Sequence, residues 1–309
     1  MDGHSLESSS LQSLSQSILS VKQEVGSTNK VFYFTDIHGQ LQLFNYIIHY
    51  CDTADPDCTI IFGGDACDRG IHGYEIMKTL LNSDNIIYLK GNHEDMFVSA
   101  AKEFMEYFPA YGNMSLETIE RIIKSINVFD YKYQNLQTYL YNGGKETLID
   151  WLTKEQHKET FIEKINALPL TYSYNNIDFC HAGSVYPAFI KENKDIHTIT
   201  DLLWNRTAFD YGWAQDRICI HGHTPTLIMP KRYGGKMPLS EIHPVKYCGN
   251  FDDKYTGYKI NMDTGAFASG RIFVLDCNNL IATGFYDKNI EDQNAMVHEI
   301  KQIENINFQ

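Results

Sequence analysis

Five short stretches of this sequence carry the side chains that bind divalent cations and phosphate. Each follows a short run of β-branched or aromatic residues, which predicts a loop at the end of a strand. Carboxylate, imidazole and amide groups together suit Mn, Fe or Zn, and arginine suits phosphate. One such stretch arises by chance in many proteins, but the full set indicates hydrolysis of a phosphoester at two metal ions. In chain order they are Asp36-Ile37-His38-Gly39, Gly64-Asp65-Ala66-Cys67-Asp68-Arg69-Gly70, Gly91-Asn92-His93-Glu94, His181-Ala182-Gly183 and Gly222-His223-Thr224-Pro225.

The first two stretches contain the residue that we expect to bridge the two ions. Asp36 and His38 follow the predicted strand Val31–Phe34, and their i, i+2 spacing can aim both side chains at one point. A second strand runs into Gly63-Gly64, where glycine permits the sharp turn that brings Asp65 to that point. Two-metal hydrolases hold their ions about 3.5–4 Å apart, which one carboxylate can span. Asp65 is therefore the predicted bridge.

Three later residues are predicted to complete the second metal site. Asn92 follows the predicted strand Ile86–Leu89 and offers a neutral oxygen, and His181 and His223 each follow a strand of their own. The seven cysteines do not form the Cys-x5-Arg loop of a cysteine phosphatase, so the sequence indicates no protein nucleophile.

The five stretches together resemble the phosphoprotein phosphatase family of the calcineurin-like metallophosphoesterases, whose pattern is GDxHG, GDxxDRG, GNHE, HxG and GH. The resemblance covers roughly residues 30 to 285, and Thr35 stands at the family's leading glycine. The Ser-Ala-Pro-Asn-Tyr signature of the eukaryotic enzymes is absent from the sequence. The bacterial and phage type, with lambda phosphatase and symmetrical diadenosine tetraphosphatase, is the most similar because of Asn142-Gly143-Gly144, His181-Ala182-Gly183, Leu203-Trp204-Asn205-Arg206 and Gly222-His223-Thr224-Pro225.

The resemblance implies two divalent ions, Mn²⁺ first, with Fe or Zn as alternatives. Such ions lower the pKa of a shared water from about 15.7 toward about 7, and the hydroxide so formed attacks phosphorus directly. By correspondence of motifs, metal one is held by Asp36, His38 and Asp65, and metal two by Asp65, Asn92, His181 and His223.

The resemblance also assigns residues to the phosphate and the leaving group. Arg69 and Arg206 correspond to the phosphate-binding arginines of the family, although a surface salt bridge remains open for Arg206. His93 corresponds to the general acid, and Asp68 would accept its other ring N–H and fix its tautomer. For His221, two residues before His223, we expect a packing role.

These loops need an α/β fold (α+β by some schemes) to position them. Alternating strands and helices at the start predict parallel strands. The resemblance implies the metallophosphoesterase fold, a two-sheet β-sandwich flanked by helices, with a helical cap or insertion at about residues 96–168. The predicted divisions are a Ser-rich segment with a short amphipathic helix at residues 1–29, the catalytic domain at 30–288, and a polar tail or helix at 289–309.

Two segments near the predicted site have open interpretations. The aromatic-rich part between Phe108 and Asn142 is either a packed helical cap or a lid or docking surface. The segment between Pro230 and Tyr255 is expected to be a solvated loop near the pocket mouth. Its cations Lys231, Arg232 and Lys236 are the candidates for holding a polyphosphate.

Composition limits the partners. The chain has 309 residues and a formal net charge of −13 without a basic run, which argues against nucleic acid. No apolar stretch of about 18 residues and no signal peptide are recognisable, so we expect no membrane span. An odd number of cysteines, several beside the metal motifs, favours a reducing cytoplasm. The sequence leaves the oligomeric state open.

The predicted function is that of a metal-dependent hydrolase, a phosphatase of phosphomonoesters. Phosphorylated proteins, at serine, threonine or tyrosine, are the favoured substrates, and small phosphoesters are the other class of partner. A symmetrical dinucleoside polyphosphate hydrolase and an inactive scaffold that binds phosphorylated partners remain as alternatives, because variable loops decide the leaving group.

Overall fold

Two β-sheets form the centre of the protein. The computed structural model describes residues 29–126, 131–184, 196–214, 216–249, 257–292 and 298–309. The predicted N-terminal segment, residues 1–29, lies outside these ranges except for its last residue. The strands are β1 Val31–Phe34, β2 Thr59–Phe62, β3 Ile86–Tyr88, β4 Thr171–Tyr174, β5 Ile177–Cys180, β6 Ile218–His221, β7 Val245–Tyr247, β8 Tyr258–Asn261, β9 Arg271–Asp276, β10 Ile281–Asp287 and β11 Ile300–Asn307.

The strand order places several loops at a common edge. The first sheet runs β11-β10-β9-β1-β2-β3 and the second β4-β5-β6-β8-β7. Strands β1, β2 and β3 are parallel, and so are β5, β6 and β8. Because parallel strands end at the same edge of a sheet, the loops after each of these sets lie side by side.

Strand β1 shows how the two sheets pack. Its residues Val31 and Tyr33 face the second sheet, where the Tyr33 ring stacks on Phe179 at 5.2 Å. Phe32 and Phe34 point the other way, into the helical layer, as the alternation of side chains in a strand requires. The predicted two-sheet sandwich is confirmed.

Helices cover the outer face of the first sheet. Phe97, Phe104 and Trp151 are fully buried there. A turn at Asn142-Gly143 separates the helix Gln134–Tyr141 from the helix Lys145–Lys154. The predicted α/β class with flanking helices is confirmed. The helices are α1 Leu41–Ala54, α2 Gly73–Leu81, α3 Asn92–Tyr107, α4 Leu116–Ser125, α5 Gln134–Tyr141, α6 Lys145–Lys154, α7 Lys158–Asn166, α8 Ile196–Trp204 and α9 Ala266–Ser269.

The C-terminal segment is not the predicted tail or helix. Residues Ile300–Asn307 form β11, which pairs antiparallel with β10 at the edge of the first sheet. Isoleucines three positions apart, at 300, 303 and 306, resemble one face of a helix. The register between β10 and β11 shifts between Thr283 and Phe285, so a bulge accommodates this spacing within a strand.

Two further observations concern the helices and the predicted loop. Among the described residues, no helix is both long enough and apolar enough to cross a membrane. The segment expected to be a solvated loop after Pro230 contains β7, and Val245 and Tyr247 on that strand are buried. These alternate residues of an edge strand pack with Phe209 and Met229, so this part of the segment belongs to the packed core and is not a solvated loop.

Candidate active site

The loops after β1, β2, β3, β5 and β6 bring the predicted metal ligands to one edge of the two sheets. Every one of these side chains is buried beneath the surface at this edge, and Asn92 begins helix α3. The residues are Asp36, His38, Asp65, Asn92, His181 and His223, of which none is more than 4% exposed.

The backbone of these loops is strained. Several non-glycine residues adopt the left-handed region, which costs an L-residue roughly 1–2 kcal/mol. Such strain persists only where surrounding contacts fix the conformation, and it concentrates at functional sites. The residues concerned are Asp36 (φ 55°), His38 (φ 44°), Asp65 (φ 59°), Asp68 (φ 70°), Arg69 (φ 64°) and His223 (φ 68°).

A first group of ligand atoms comes from His38, Asp65 and His93. The Nε2 atoms of His38 and His93 lie 3.6 and 3.9 Å from Asp65 Oδ2. His38 Nδ1 donates to the Cys67 carbonyl at 2.8 Å, which leaves Nε2 with its lone pair toward the group. Burial, with the nearby Arg69 charge, lowers the pKa of His38 well below its ordinary value, so this imidazole is neutral.

A second group comes from Asp65, His181 and His223, so that Asp65 belongs to both. His181 Nε2 lies 3.3 Å from Asp65 Oδ1, and its Nδ1 donates to the Gly63 carbonyl at 2.9 Å. Asn92 Oδ1 lies 3.0 Å from His181 Nε2 and 2.8 Å from His223 Nδ1. Burial lowers the pKa of His223 to about 2, so its ring is neutral and can act as a ligand.

Asp36 lies beside these groups with its carboxylate directed elsewhere. The oxygens accept hydrogen bonds from the His223 backbone N at 3.1 and 3.2 Å, and Thr35 Oγ1 donates to Oδ2 at 2.7 Å. The structure therefore brings Asp36 to the site without aiming an oxygen at the first group. His93, predicted as the acid, stands in that group instead.

The charges at this edge fit divalent cations. Asp36, Asp65 and Asp263 are each at most 2% exposed. Burial raises the pKa of Asp36 well above its ordinary value and that of Asp263 to about 6. Burial acts in the same direction on Asp65, but the neighbouring His181 and His93 hold its pKa well below the ordinary value. Neighbouring buried carboxylates are costly unless cations compensate them, and oxygen with imidazole is a donor set for such metals.

The backbone beside two of these carboxylates has room only for glycine. A Cβ at Gly222 would stand 1.9 Å from Asp36 Oδ2, and one at Gly91 would stand 2.2 Å from Asp65 Oδ1. Both contacts are far shorter than any van der Waals separation, so the glycines of the motifs serve the close approach of chain and carboxylate.

His93 and Asp68 form a buried pair. His93 Nδ1 donates to Asp68 Oδ2 at 2.7 Å, and Asp68 is fully buried. Burial lowers the pKa of His93, but the charge of Asp65 and the bond to Asp68 outweigh it and raise the pKa above the ordinary value. A histidine held in this way is suited to donate a proton from Nε2.

The two predicted phosphate-binding arginines both lie at the site. The Arg69 guanidinium lies 2.9 Å from His38 Nε2 and 3.3 Å from His93 Nε2, and its Cζ stands 4.4 Å above the Phe267 ring. Arg206 donates to the His223 carbonyl and to Thr224 Oγ1, both at 3.3 Å. Neither of these partners is a carboxylate, so within the described part of the chain the contacts of Arg206 are not those of a surface salt bridge.

Two residues in the site were not assigned a role from the sequence. Glu94 accepts hydrogen bonds from the backbone N atoms of Asp65, Ala66 and Gly91, each at 2.8 Å. In the sequence, the signal for its role was its position in the Gly91-Asn92-His93-Glu94 stretch. Phe267 packs under Arg69, and a lone phenylalanine gives no sequence signal of this kind.

His221 is turned away from both groups. Its Nε2 lies 2.7 Å from the Tyr247 hydroxyl, and its Nδ1 lies 3.1 Å from the Gly222 carbonyl. Burial lowers the pKa of His221 to about 3. The ring packs behind the site, as expected from the sequence.

Comparison with known proteins gives the class of this fold and site. Residues 30–244, more than half of the chain, match the family described as calcineurin-like phosphoesterase. The chain belongs to this family of metallophosphoesterases, which are hydrolases of phosphoesters, and the resemblance seen in the sequence is confirmed.

Two similar proteins are phosphatases. The human "Serine/threonine-protein phosphatase with EF-hands 2" is 31% identical over 97 residues, which are 28% of this chain and 13% of that protein. "Serine/threonine-protein phosphatase 7" of Arabidopsis thaliana is 32% identical over 98 residues, 29% of this chain and 23% of that protein. The match thus spans less than a quarter of either relative.

Among solved structures, a "putative diadenosine tetraphosphatase" is 13% identical with a TM-score of 0.42, over 90% of this chain and 94% of that chain. A Saccharomyces cerevisiae "Protein serine/threonine phosphatase", described as similar to human phosphatase PP5, is 15% identical with a TM-score of 0.44, over 91% and 81% of the two chains. Likenesses of this degree do not bear on substrate.

Proposed function

We propose that this protein is a metal-dependent phosphatase of phosphomonoesters, and that phosphorylated protein side chains are its substrates. The observation that carries the proposal is the shared position of Asp65. Its carboxylate belongs to two groups of ligand atoms, each with its atoms within 4.8 Å of one another. The His93–Asp68 pair and Arg69 face the same space.

The proposed cofactors are two divalent ions, Mn²⁺ first, since the mixed oxygen and imidazole set also accepts Fe or Zn. When bound, such ions supply Lewis acidity and lower the pKa of water. The residues that would hold them are His38, Asp65, Asn92, His181 and His223, and Asp36 would join them by turning its carboxylate from the His223 backbone.

His93 is the proposed proton donor to the leaving oxygen. Asp68 fixes the proton on Nδ1, so Nε2 is the atom that exchanges a proton with the substrate. Arg69 now lies 3.3 Å from that Nε2. A phosphoryl group that attracts the guanidinium would release Nε2 to hold a proton, which couples phosphate binding to readiness of the acid.

Arg69 and Arg206 are the proposed phosphate ligands. They approach from different loops, Arg69 beside the first group of ligand atoms and Arg206 beside His223 of the second. A planar guanidinium matches phosphoryl oxygens in pairs, so one on each side can orient the group and stabilise its charge in the transition state.

The contacts of Arg232 support a monoester over a polyphosphate substrate. Its guanidinium is paired with the Asp210 carboxylate and lies 5.0 Å over the Tyr233 ring. A cation engaged in this way would have to leave its partners to hold a second phosphate. The small phosphate of a protein side chain needs only the arginines already at the site.

The test is a comparison of kcat/KM for phosphoserine, phosphothreonine and phosphotyrosine peptides with diadenosine tetraphosphate in one Mn²⁺ buffer. We expect a phosphopeptide to be the best substrate. The protein-phosphatase proposal is rejected if the tetraphosphate leads by more than about tenfold, a margin that contacts to a second phosphate can supply. Loss of that lead in Lys231→Ala with Arg232→Ala would identify the polyphosphate contact. Absence of turnover on every substrate would favour a binding scaffold.

A further inference from the structure

A buried tyrosine from helix α5 touches the carboxylate that holds the proposed acid. The Tyr139 hydroxyl donates to Asp68 Oδ1 at 2.5 Å, while Asp68 Oδ2 accepts from His93 Nδ1 at 2.7 Å. Tyr139 and Asp68 are fully buried, and His93 is 2% exposed. The three side chains therefore form a continuous, water-excluded chain of hydrogen bonds that ends at the site.

The turn that carries Asp68 rests on the hairpin of α5 and α6. The backbone N of Asp68 donates to Thr147 Oγ1 at 3.1 Å, and that of Arg69 donates to the Gly143 carbonyl at 3.0 Å. A Cβ at Gly144 would stand 2.3 Å from the Tyr139 ring, so glycine lets the chain turn tightly around that ring. Since Asp68 and Arg69 both have positive φ, these contacts hold a strained turn in place.

The hydroxyl of Tyr139 keeps its proton and donates it to the Asp68 carboxylate. Burial raises the pKa of this phenol well above its ordinary value, and the Asp68 charge adds to that effect. A carboxylate rotates easily about its last torsion angle, which has broad minima. With one oxygen held by Tyr139 and the other by His93, that rotation is fixed on both sides.

We propose that Tyr139 is a positioning residue, which orients Asp68 and through it the imidazole of His93 for proton transfer to the leaving oxygen. The inference rests on the proposed function, because it assumes that His93 is the acid. In this proposal the α5–α6 hairpin supports the general acid. That role differs from both alternatives left open by the sequence, a packed cap and a lid or docking surface. Tyr139 touches neither substrate nor metal ligand in this role.

The test is Tyr139→Phe, which removes one hydroxyl and keeps the ring. The measurement is kcat and KM on a substrate with a poor leaving group, phosphoserine, and on one with a good leaving group, 4-nitrophenyl phosphate. We expect kcat on phosphoserine to fall about tenfold or more and KM to stay unchanged, because removing a partner that orients a reacting group typically costs about this much. The loss on 4-nitrophenyl phosphate should be much smaller, since it needs little protonation.

Tyr74→Phe is the matched control. Tyr74 is also buried, and its hydroxyl donates to a carboxylate, Glu155 Oε2, at 3.0 Å, without contact to His93. We expect this variant to keep the wild-type ratio of the two rates. That ratio is measured on one preparation, so it does not depend on the folded fraction of either variant.

A double mutant separates orientation of the acid from packing. In a His93→Asn background, Tyr139→Phe should cost nothing further on phosphoserine, because two residues that act through one group are not additive. An equal loss on both substrates in Tyr139→Phe, or a persisting loss in the double mutant, overturns the proposal. A wild-type protein without phosphatase turnover would instead reject the proposed function itself.

Discussion

The Glu94 carboxylate and the backbone of Asp65 are joined directly: Glu94 Oε2 accepts from the Asp65 N–H at 2.8 Å. The same Oε2 accepts from the Gly91 N–H, and Oε1 accepts from the Ala66 N–H and the Tyr88 hydroxyl, each at 2.8 Å. A fully buried carboxylate thus ties the loop after β2 to the start of helix α3. This one side chain therefore helps to fix the backbone at Asp65 relative to the start of the helix that carries Asn92.

Glu94→Gln should therefore weaken metal binding. An amide has one acceptor oxygen, so its NH₂ group would face a backbone N–H donor, and the loop must shift. We expect Mn²⁺ affinity to fall by about 10–100-fold, as for other residues that orient ligands. Calorimetric titration with Mn²⁺ measures it. Glu155→Gln, a buried carboxylate that binds Tyr74 and the His157 N–H, is the control and should leave affinity unchanged.

Asp65→Asn should affect both metals at once, because Asp65 belongs to both groups of ligand atoms. We expect the content of bound Mn²⁺ to fall at both positions and turnover of an aryl phosphate to be lost. Chelator should inactivate the wild type, and Mn²⁺ should restore it. Turnover that survives complete removal of metal, verified by elemental analysis, would contradict metal-dependent catalysis.

His93→Asn should cost most on substrates with poor leaving groups. Removing a general acid typically lowers rates by about 10²–10⁴-fold, and we expect that range for phosphoserine. The loss on 4-nitrophenyl phosphate should be far smaller. Equal losses on both substrates would mean that His93 serves as a ligand of the first group, beside His38 and Asp65, where its Nε2 also points.

The sequence predicted those parts of the site that depend on local chain direction. A strand such as Val31–Phe34 and the glycine turns around Asp65 place ligands at a common edge, because parallel strands share that edge. Orientation was not predictable in the same way. The Asp36 carboxylate turns to the backbone of His223, 187 positions along the chain, and no local pattern encodes such a contact.

Whether the helical section between Phe108 and Asn142 forms a packed cap or a lid also depends on long-range contacts, which the sequence alone does not show. Tyr139 and Tyr141 lie on one helix, yet Tyr139 is fully buried against Asp68 and Tyr141 is 84% exposed. The Tyr139–Asp68 bond joins residues 71 positions apart, so only the packing of α5 on the site decides it. At the C-terminus, the polar sequence predicted a tail or helix, while pairing with β10 across a bulge produced a strand.

The last prediction concerns stability and pH. Asp178, on β5, accepts hydrogen bonds from Ser173 Oγ at 2.7 Å, Trp213 Nε1 at 3.0 Å and Arg217 Nε at 2.7 Å. Burial alone would raise its pKa, but these donors outweigh burial and lower it. A depressed pKa in the folded state means that the stabilisation is complete above the unfolded pKa, about 3.9, and is lost as pH falls through the folded pKa.

Asp178→Asn should accordingly lower the free energy of unfolding by about 2 kcal/mol at pH 7, the contribution typical of hydrogen bonds to a charged group. The difference from wild type should stay constant down to about pH 5 and shrink below about pH 4, where this carboxyl begins to take up a proton in the unfolded wild type but not yet in the folded protein. Urea unfolding at several pH values measures it. The control is Asp210→Asn, whose partner Arg232 is 65% exposed, so that solvent screens the pair and the change should be much smaller. A difference for Asp178→Asn that grows as pH falls would contradict the depressed pKa.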